Sequence, residues 1–153
     1  MNQDCRETVD NGFEENSATA RRRRPEERER IMRAMVVDDE EDVRRLLGLM
    51  LSRLGWEVLE AANGQEALDI LHQPTSMDVV LLDWRMPVMD GPAFLKAVRK
   101  EPELSRIPVM MLTGLNEMQD VANALQLGAK EYLMKPITQR TLREKLTILG
   151  LNS

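Results

Sequence analysis

The sequence predicts an α/β fold, a doubly wound sheet of five parallel strands with five helices covering its faces. Three observations predict it. From Ile31 onward short apolar runs alternate with amphipathic stretches, and no segment repeats another. One run, Val79-Val80-Leu81-Leu82, is apolar without interruption, as befits a strand buried on both sides. Four of the five runs stop at a polar residue: Asp38, Asp83, Thr113 or Lys135. Strict alternation of strand and helix implies a parallel sheet with helices packed on both faces.

Met35-Val36-Val37 ends at an acid cluster and reads as the first strand. Val43, Leu46, Leu47, Met50, Leu51 and Leu54 recur at helical spacing and give a three-turn helix closed by Gly55. Trp56 to Ala61 is a second strand, whose Glu57 and Glu60 suit an edge. Asn63-Gly64 turns the chain into a helix carrying Ala67, Ile70 and Leu71, which stops before Pro74. The apolar run ending at Asp83 is the third strand. A loop with Pro87, Asp90 and Gly91 follows, and Pro92 suits the first position of a helix bearing Phe94, Leu95 and Val98. Pro108 to Leu112 is a fourth strand. Met118, Val121, Ala122 and Leu125 give a fourth helix ended by Gly128. Glu131 to Met134 is the last strand, and Leu142, Leu146 and Leu149 mark a short final helix.

The 153 residues suffice for one domain. Residues 1–30 hold almost no apolar side chains and read as a disordered tail, leaving 31–150 as the folded domain. The four arginines from Arg21 to Arg24 read first as a solvated charge run. Nowhere do eighteen apolar residues run together, so no membrane span is expected. The N-terminus lacks the apolar stretch of a secretory signal, which leaves the cytoplasm as the expected compartment. Cys5 is the only cysteine, which excludes an intrachain disulfide and a zinc cluster. A net charge of −5 argues against direct DNA binding through the overall field.

In parallel sheets of this class ligands bind at the carboxyl ends of the strands, where strand order reverses. The strand ends here carry Asp38 and Asp39, Asp83, Thr113 and Lys135. Three converging carboxylates cannot all stay ionised without a cation. An all-oxygen set without His or Cys favours Mg2+. An ammonium and a hydroxyl beside such an ion suit a phosphoryl group. Taken singly, each residue has a plainer reading: an acidic first helical turn, a turn residue, a cap, a surface lysine. Their joint occurrence at four strand ends does not.

The segments Val36 to Asp39, Leu81 to Gly91, Met111 to Gly114 and Tyr132 to Pro136 resemble the receiver domain of two-component response regulators, over roughly Ile31 to Leu149. The resemblance, closest to the stand-alone chemotaxis-regulator type, implies a flavodoxin-like strand order 2-1-3-4-5. It implies that Asp83 is the phosphoacceptor, with Thr113 and Lys135 contacting the phosphoryl oxygens. It also implies that Asp38, Asp39, Asp83 and the backbone carbonyl of Arg85 hold Mg2+. Thr113 and Tyr132 match the family's switch pair, which would reshape the face formed by the fourth helix, fifth strand and fifth helix. The bond before Pro136 matches the family's cis peptide.

The expected function is therefore a single-domain response regulator that is not an enzyme beyond its own phosphorylation and dephosphorylation. A sensor histidine kinase or histidine phosphotransfer protein would be the donor and a downstream protein the target. The regulator would be a monomer or a phosphorylation-dependent dimer. Alternatives are a phosphorelay intermediate and a phosphorylation-independent scaffold using the arginine-rich tail. A haloacid-type hydrolase would need a second aspartate where Arg85 stands. Arg85 itself could reach over the phosphoryl group or face solvent, and the sole histidine, His72, reads as a surface residue near a helix end.

Overall fold

The five apolar runs pair side by side as β1 (Arg33–Val37), β2 (Glu57–Ala61), β3 (Val79–Asp83), β4 (Val109–Thr113) and β5 (Glu131–Met134). The structure, a computed structural model, describes residues 30–151. The polar segment expected over residues 1–30 lies outside them, apart from Arg30. All pairings are parallel, in the order β2-β1-β3-β4-β5. The acid-bearing β2 is at an edge, and strand order reverses between β1 and β3.

Among the described residues four helices link the strands, α1 (Glu41–Ser52), α2 (Gly64–Leu71), α3 (Gly91–Arg99) and α4 (Asp120–Gln126), and α5 (Gln139–Ile148) follows β5. Alternate strand residues face opposite sides, so the sheet divides the core in two. Met35, Val37, Val80, Leu82, Val109 and Met111 pack beneath α2, α3 and α4, against Leu71, Phe94, Leu95 and Val121. Ala34, Val36, Val79, Leu81, Met110 and Leu112 pack beneath α1 and α5, against Leu47, Leu51, Leu142 and Leu146. Both faces of the central strands are thus covered, which is why their runs carry no polar residue until the end.

Side-chain caps start three helices. Asn63 accepts from the Glu66 amide at 2.9 Å, Asp90 from Ala93 at 3.0 Å and Thr138 from Thr141 at 3.1 Å. Gly91 takes the first position of α3 and Pro92 the second, one place later than expected. The last helix has ten residues and is not short.

Two helical stripes differ from the expected ones. In α1 the sheet takes the centre of the stripe, Leu47 and Leu51, while Leu46 on its rim stays 48% exposed. A stripe six residues long is wider than the strip a single sheet face can cover. In α4 the buried residues are Val121 and Ala124, and Leu125 points outward. A 3-10 turn over Leu115–Glu117 precedes α4, so Met118 lies outside the helix and does not set its phase. Among the described residues no helix is long and apolar enough to cross a membrane.

Candidate phosphoacceptor and metal site

Asp38 follows β1 directly and is fully buried. Its amide donates to the Ala61 carbonyl at 3.1 Å, continuing the ladder to β2 by one step. Its Oδ1 accepts from the Glu40 amide at 2.9 Å, and its carbonyl accepts from Arg44 Nη1 at 2.8 Å. Asp83 is the last residue of β3, only 6% exposed, with Oδ1 accepting from the Trp84 amide at 2.9 Å. Carboxylate oxygens of Asp38, Asp39 and Asp83 lie within 4.8 Å of one another, Asp39 being the exposed member.

Lys135 follows β5 and is placed by its amide, which donates to the Thr113 carbonyl at 2.7 Å. Its ammonium lies 3.4 Å from Asp38 Oδ2 and 3.8 Å from Asp83 Oδ1. One cation therefore faces three acids. Burial, reinforced by the charge of Asp38, pushes the Asp83 carboxyl up to about 7 against the pull of Lys135. Burial likewise raises Asp38. For Lys135 burial acts to lower the pKa, but Asp83 and Asp38 outweigh it and hold the ammonium above its usual range.

The donor set fits Mg2+. Three carboxylates in hard-ligand array, with residual negative charge that Lys135 leaves uncompensated, are what a small divalent cation neutralises.

Thr113 ends β4 fully buried, and its hydroxyl donates to the Gly114 carbonyl at 3.1 Å rather than to an acid. Tyr132 stands apart from the acids. Its backbone is in register with Met111, and the Lys145 ammonium sits 4.3 Å from its ring centroid. Lys145 also bonds Glu131 at 2.8 Å. The Lys135–Pro136 bond is cis.

The loop after Asp83 is pinned at both ends. The Gly91 amide donates to the Trp84 carbonyl at 3.1 Å, and the Gly64 amide to the Met89 carbonyl at 2.9 Å. A Cβ on Gly91 would lie 2.9 Å from Trp84 Cα and 3.0 Å from the Asp83 carbonyl oxygen. At the tip, Val88 is 82% exposed and adopts φ 71°.

The Arg85 side chain reaches across to the segment after β4. It bonds Asp120 at 2.7 Å and lies 3.6 Å from Glu117, whose Oε1 accepts from the Gly114 amide at 3.1 Å. Sequence reasoning missed Glu117 and Asp120 as neighbours of the site. The signal was the topology: residues following β4 emerge beside those following β3. His72 caps α2 away from these acids and bonds Glu101 at 2.9 Å.

Comparison with known proteins agrees with this fold. A family model described as "Response regulator receiver domain" matches residues 34–147. Chemotaxis protein CheY1 of Helicobacter pylori is 41% identical over 123 residues, covering 79% of this chain and 99% of the relative. The solved chemotaxis response regulator CheY4 of Vibrio cholerae superposes with a TM-score of 0.72 at 33% identity, covering 78% of this chain and 99% of that one. The receiver domain of a sensor histidine kinase from Pseudomonas aeruginosa, solved with a magnesium ion coordinated in its active-site cleft, gives 0.71 at 28% identity, covering 78% and 97%.

Proposed function

This chain belongs to the response regulator receiver family, and on that premise we propose that Asp83 accepts a phosphoryl group and thereby changes which protein the domain binds. The observation that carries the reading is the set of three carboxylates and one ammonium gathered at the carboxyl ends of β1, β3 and β5. The donor is a phosphohistidine on a sensor kinase or phosphotransfer protein. A carboxylate oxygen of Asp83 attacks phosphorus in line, the bond from phosphorus to the histidine nitrogen breaks, and an acyl phosphate remains on Asp83.

Asp38, Asp39, Asp83 and the Arg85 carbonyl would hold Mg2+. When bound, the ion supplies charge neutralisation that lets Asp83 stay ionised and the phosphoryl oxygens approach. Lys135 pairs with one phosphoryl oxygen in exchange for its present contacts to Asp38 and Asp83. Thr113 turns its hydroxyl from the Gly114 carbonyl to another. That rotation vacates space toward β5, where Tyr132 moves inward and remodels the face of α4, β5 and α5. The domain turns over no metabolite. It acts in the cytoplasm.

Intact mass after incubation with acetyl phosphate, with and without Mg2+, tests the chemistry. A magnesium-dependent phosphoryl adduct is expected in the wild type and not in Asp83→Asn. An adduct that persists in Asp83→Asn would displace Asp83 from its role.

A further inference from the structure

We propose that the pole of the sheet opposite the acid cluster is a docking surface for an acidic protein segment, held by Lys100, Arg106 and Lys130 around Arg99. The inference is independent of the phosphoacceptor reading, since none of these residues takes part in that chemistry.

Outside this pole, most bases of the described domain face carboxylates, as Arg33 does Glu57, Arg44 does Glu60 and Arg85 does Asp120. Lys96, Arg99, Lys100, Arg106 and Lys130 differ, for none of them forms an ion pair among the described residues. All but Arg99 are exposed.

The fold gathers them. Lys96 and Arg99 lie in the last turn of α3, and Lys100 caps it. The half-buried Arg99 guanidinium donates to the Ser105 carbonyl at 3.0 Å and to the Gly128 carbonyl at 2.6 Å. Burial pulls its pKa down, and no acid offsets that pull. Arg106 directly follows the first acceptor, and Lys130 stands two residues after the second. The Lys130 amide donates to the Val109 carbonyl at 2.9 Å, which sets the entry to β5 against the start of β4. One cation thus ties three segments together, and each of them brings an exposed base.

A helix C-terminus by itself accounts for Lys96, Arg99 and Lys100, because cations there complement the dipole. It does not account for Arg106 and Lys130, which lie on other segments. Local acids do not cancel the charge either. The loop after α3 sets against these bases only Glu101, which bonds His72 at 2.9 Å, and Glu103. Glu131, next to Lys130, is occupied by Lys145 at 2.8 Å.

The occupant follows from scale. The whole chain carries −5, so a membrane or a nucleic acid, whose field spans the molecule, is repelled by the rest of the surface. A short run of Asp or Glu senses only the charges within a Debye length, about 8 Å at physiological salt. Within that distance the balance here is positive. Clusters of basic side chains recognise acidic motifs in this way.

The test is fluorescence anisotropy of labelled hexaglutamate with the full chain at ionic strengths of about 0.01 M and 0.15 M. Binding is expected at the lower strength and should weaken at the higher, and hexaglutamine should not bind. The triple variant Lys100→Gln, Arg106→Gln, Lys130→Gln is expected to lose about tenfold in affinity, roughly twofold for each exposed charge. Arg53→Gln with Arg143→Gln, two exposed bases elsewhere that form no ion pair among the described residues, should leave it unchanged. Without any variant, amide shifts in the wild type on adding hexaglutamate should centre on Lys100, Arg106 and Lys130. Absence of binding at the lower strength, or shifts centred elsewhere, would overturn the proposal. So would a loss of equal size per charge in both variants, which would report net charge alone, or full binding by the triple variant. Phosphatidylserine vesicles or single-stranded DNA that bind through these three residues more tightly than hexaglutamate would overturn the choice of an acidic protein segment.

Discussion

Asp38 and Asp83 stand at neighbouring strand ends, and the charge of Asp38 helps to raise the Asp83 carboxyl to about 7. The ordinary aspartate value is roughly 4, so over the interval between the two the folded chain binds a proton that the unfolded chain has lost. Stability from this source is complete at the acid end of that interval and disappears as pH rises through 7. Asp38, raised by burial, contributes in the same sense.

The chelator-treated protein is therefore expected to melt at a higher temperature at pH 5.5 than at pH 7.5. Asp83→Asn should flatten that slope and stabilise the protein at pH 7.5 by about 2 kcal/mol. Calorimetric melting across the range checks it. A wild type that gains stability steadily from pH 5.5 to 7.5 would show the acid cluster to be uncoupled from folding. Below pH 5 an opposing loss enters, since the Lys145 bond holds Glu131 below its usual range despite burial.

Mg2+ should reverse the penalty at neutral pH. An ion that binds only the folded state stabilises it by about 2.7 kcal/mol at a hundredfold excess over its dissociation constant. The melting temperature at pH 7.5 is expected to rise with Mg2+ in the wild type and to respond little in Asp39→Asn, which removes a ligand while sparing the buried pair. An unchanged wild-type melting temperature however far free Mg2+ is raised would count against the site, because the stabilisation grows with free ion over the dissociation constant.

Much of this was legible in the residues. Val79 to Leu82 reads as a central strand and Pro108 to Leu112 as another strand, and a polar residue at the end of each marks the edge where the sheet meets solvent. The edge position of β2 followed from Glu57 and Glu60. Other features left no trace in the sequence. Leu46 and Leu125 are as apolar as their buried neighbours, and only the width of the sheet decides which of them it covers. Arg85 and Asp120 are separated by 35 residues and meet because two successive loops leave the same sheet edge. Val88 gives no warning of a left-handed backbone, since branched side chains are the ones that avoid it.

Gly91 is confined by backbone. Its Cβ position lies 2.9 Å from Trp84 Cα and 3.0 Å from the Asp83 carbonyl oxygen, neither of which can step aside as a side chain would. Gly91→Ala should cost about 2 kcal/mol or more, as overpacking against fixed atoms does, and should also slow phosphoryl uptake by displacing Asp83. Denaturant unfolding paired with the mass assay reads both. A fully stable Gly91→Ala protein would mean the loop has room that these distances deny.

Val88 holds φ 71° while its side chain is 82% exposed, so little packing offsets the backbone strain. The left-handed conformation costs a residue with a Cβ roughly 1–2 kcal/mol, less for asparagine, which can bond locally. Val88→Asn is expected to raise stability by about 1 kcal/mol with phosphoryl uptake unchanged. Loss of stability in this variant would show that the valine side chain has a contact worth more than the strain.

The division of the core by the sheet also equips the molecule with two separate optical gauges. Trp84 is buried on the side of α2, α3 and α4, next to the phosphoacceptor, and Trp56 is buried on the side of α1 and α5. With one tryptophan per layer, replacing either by phenylalanine leaves emission from a single side. Folding, ligand uptake and chemical wear can then be timed independently above and below the sheet, without attaching any foreign dye.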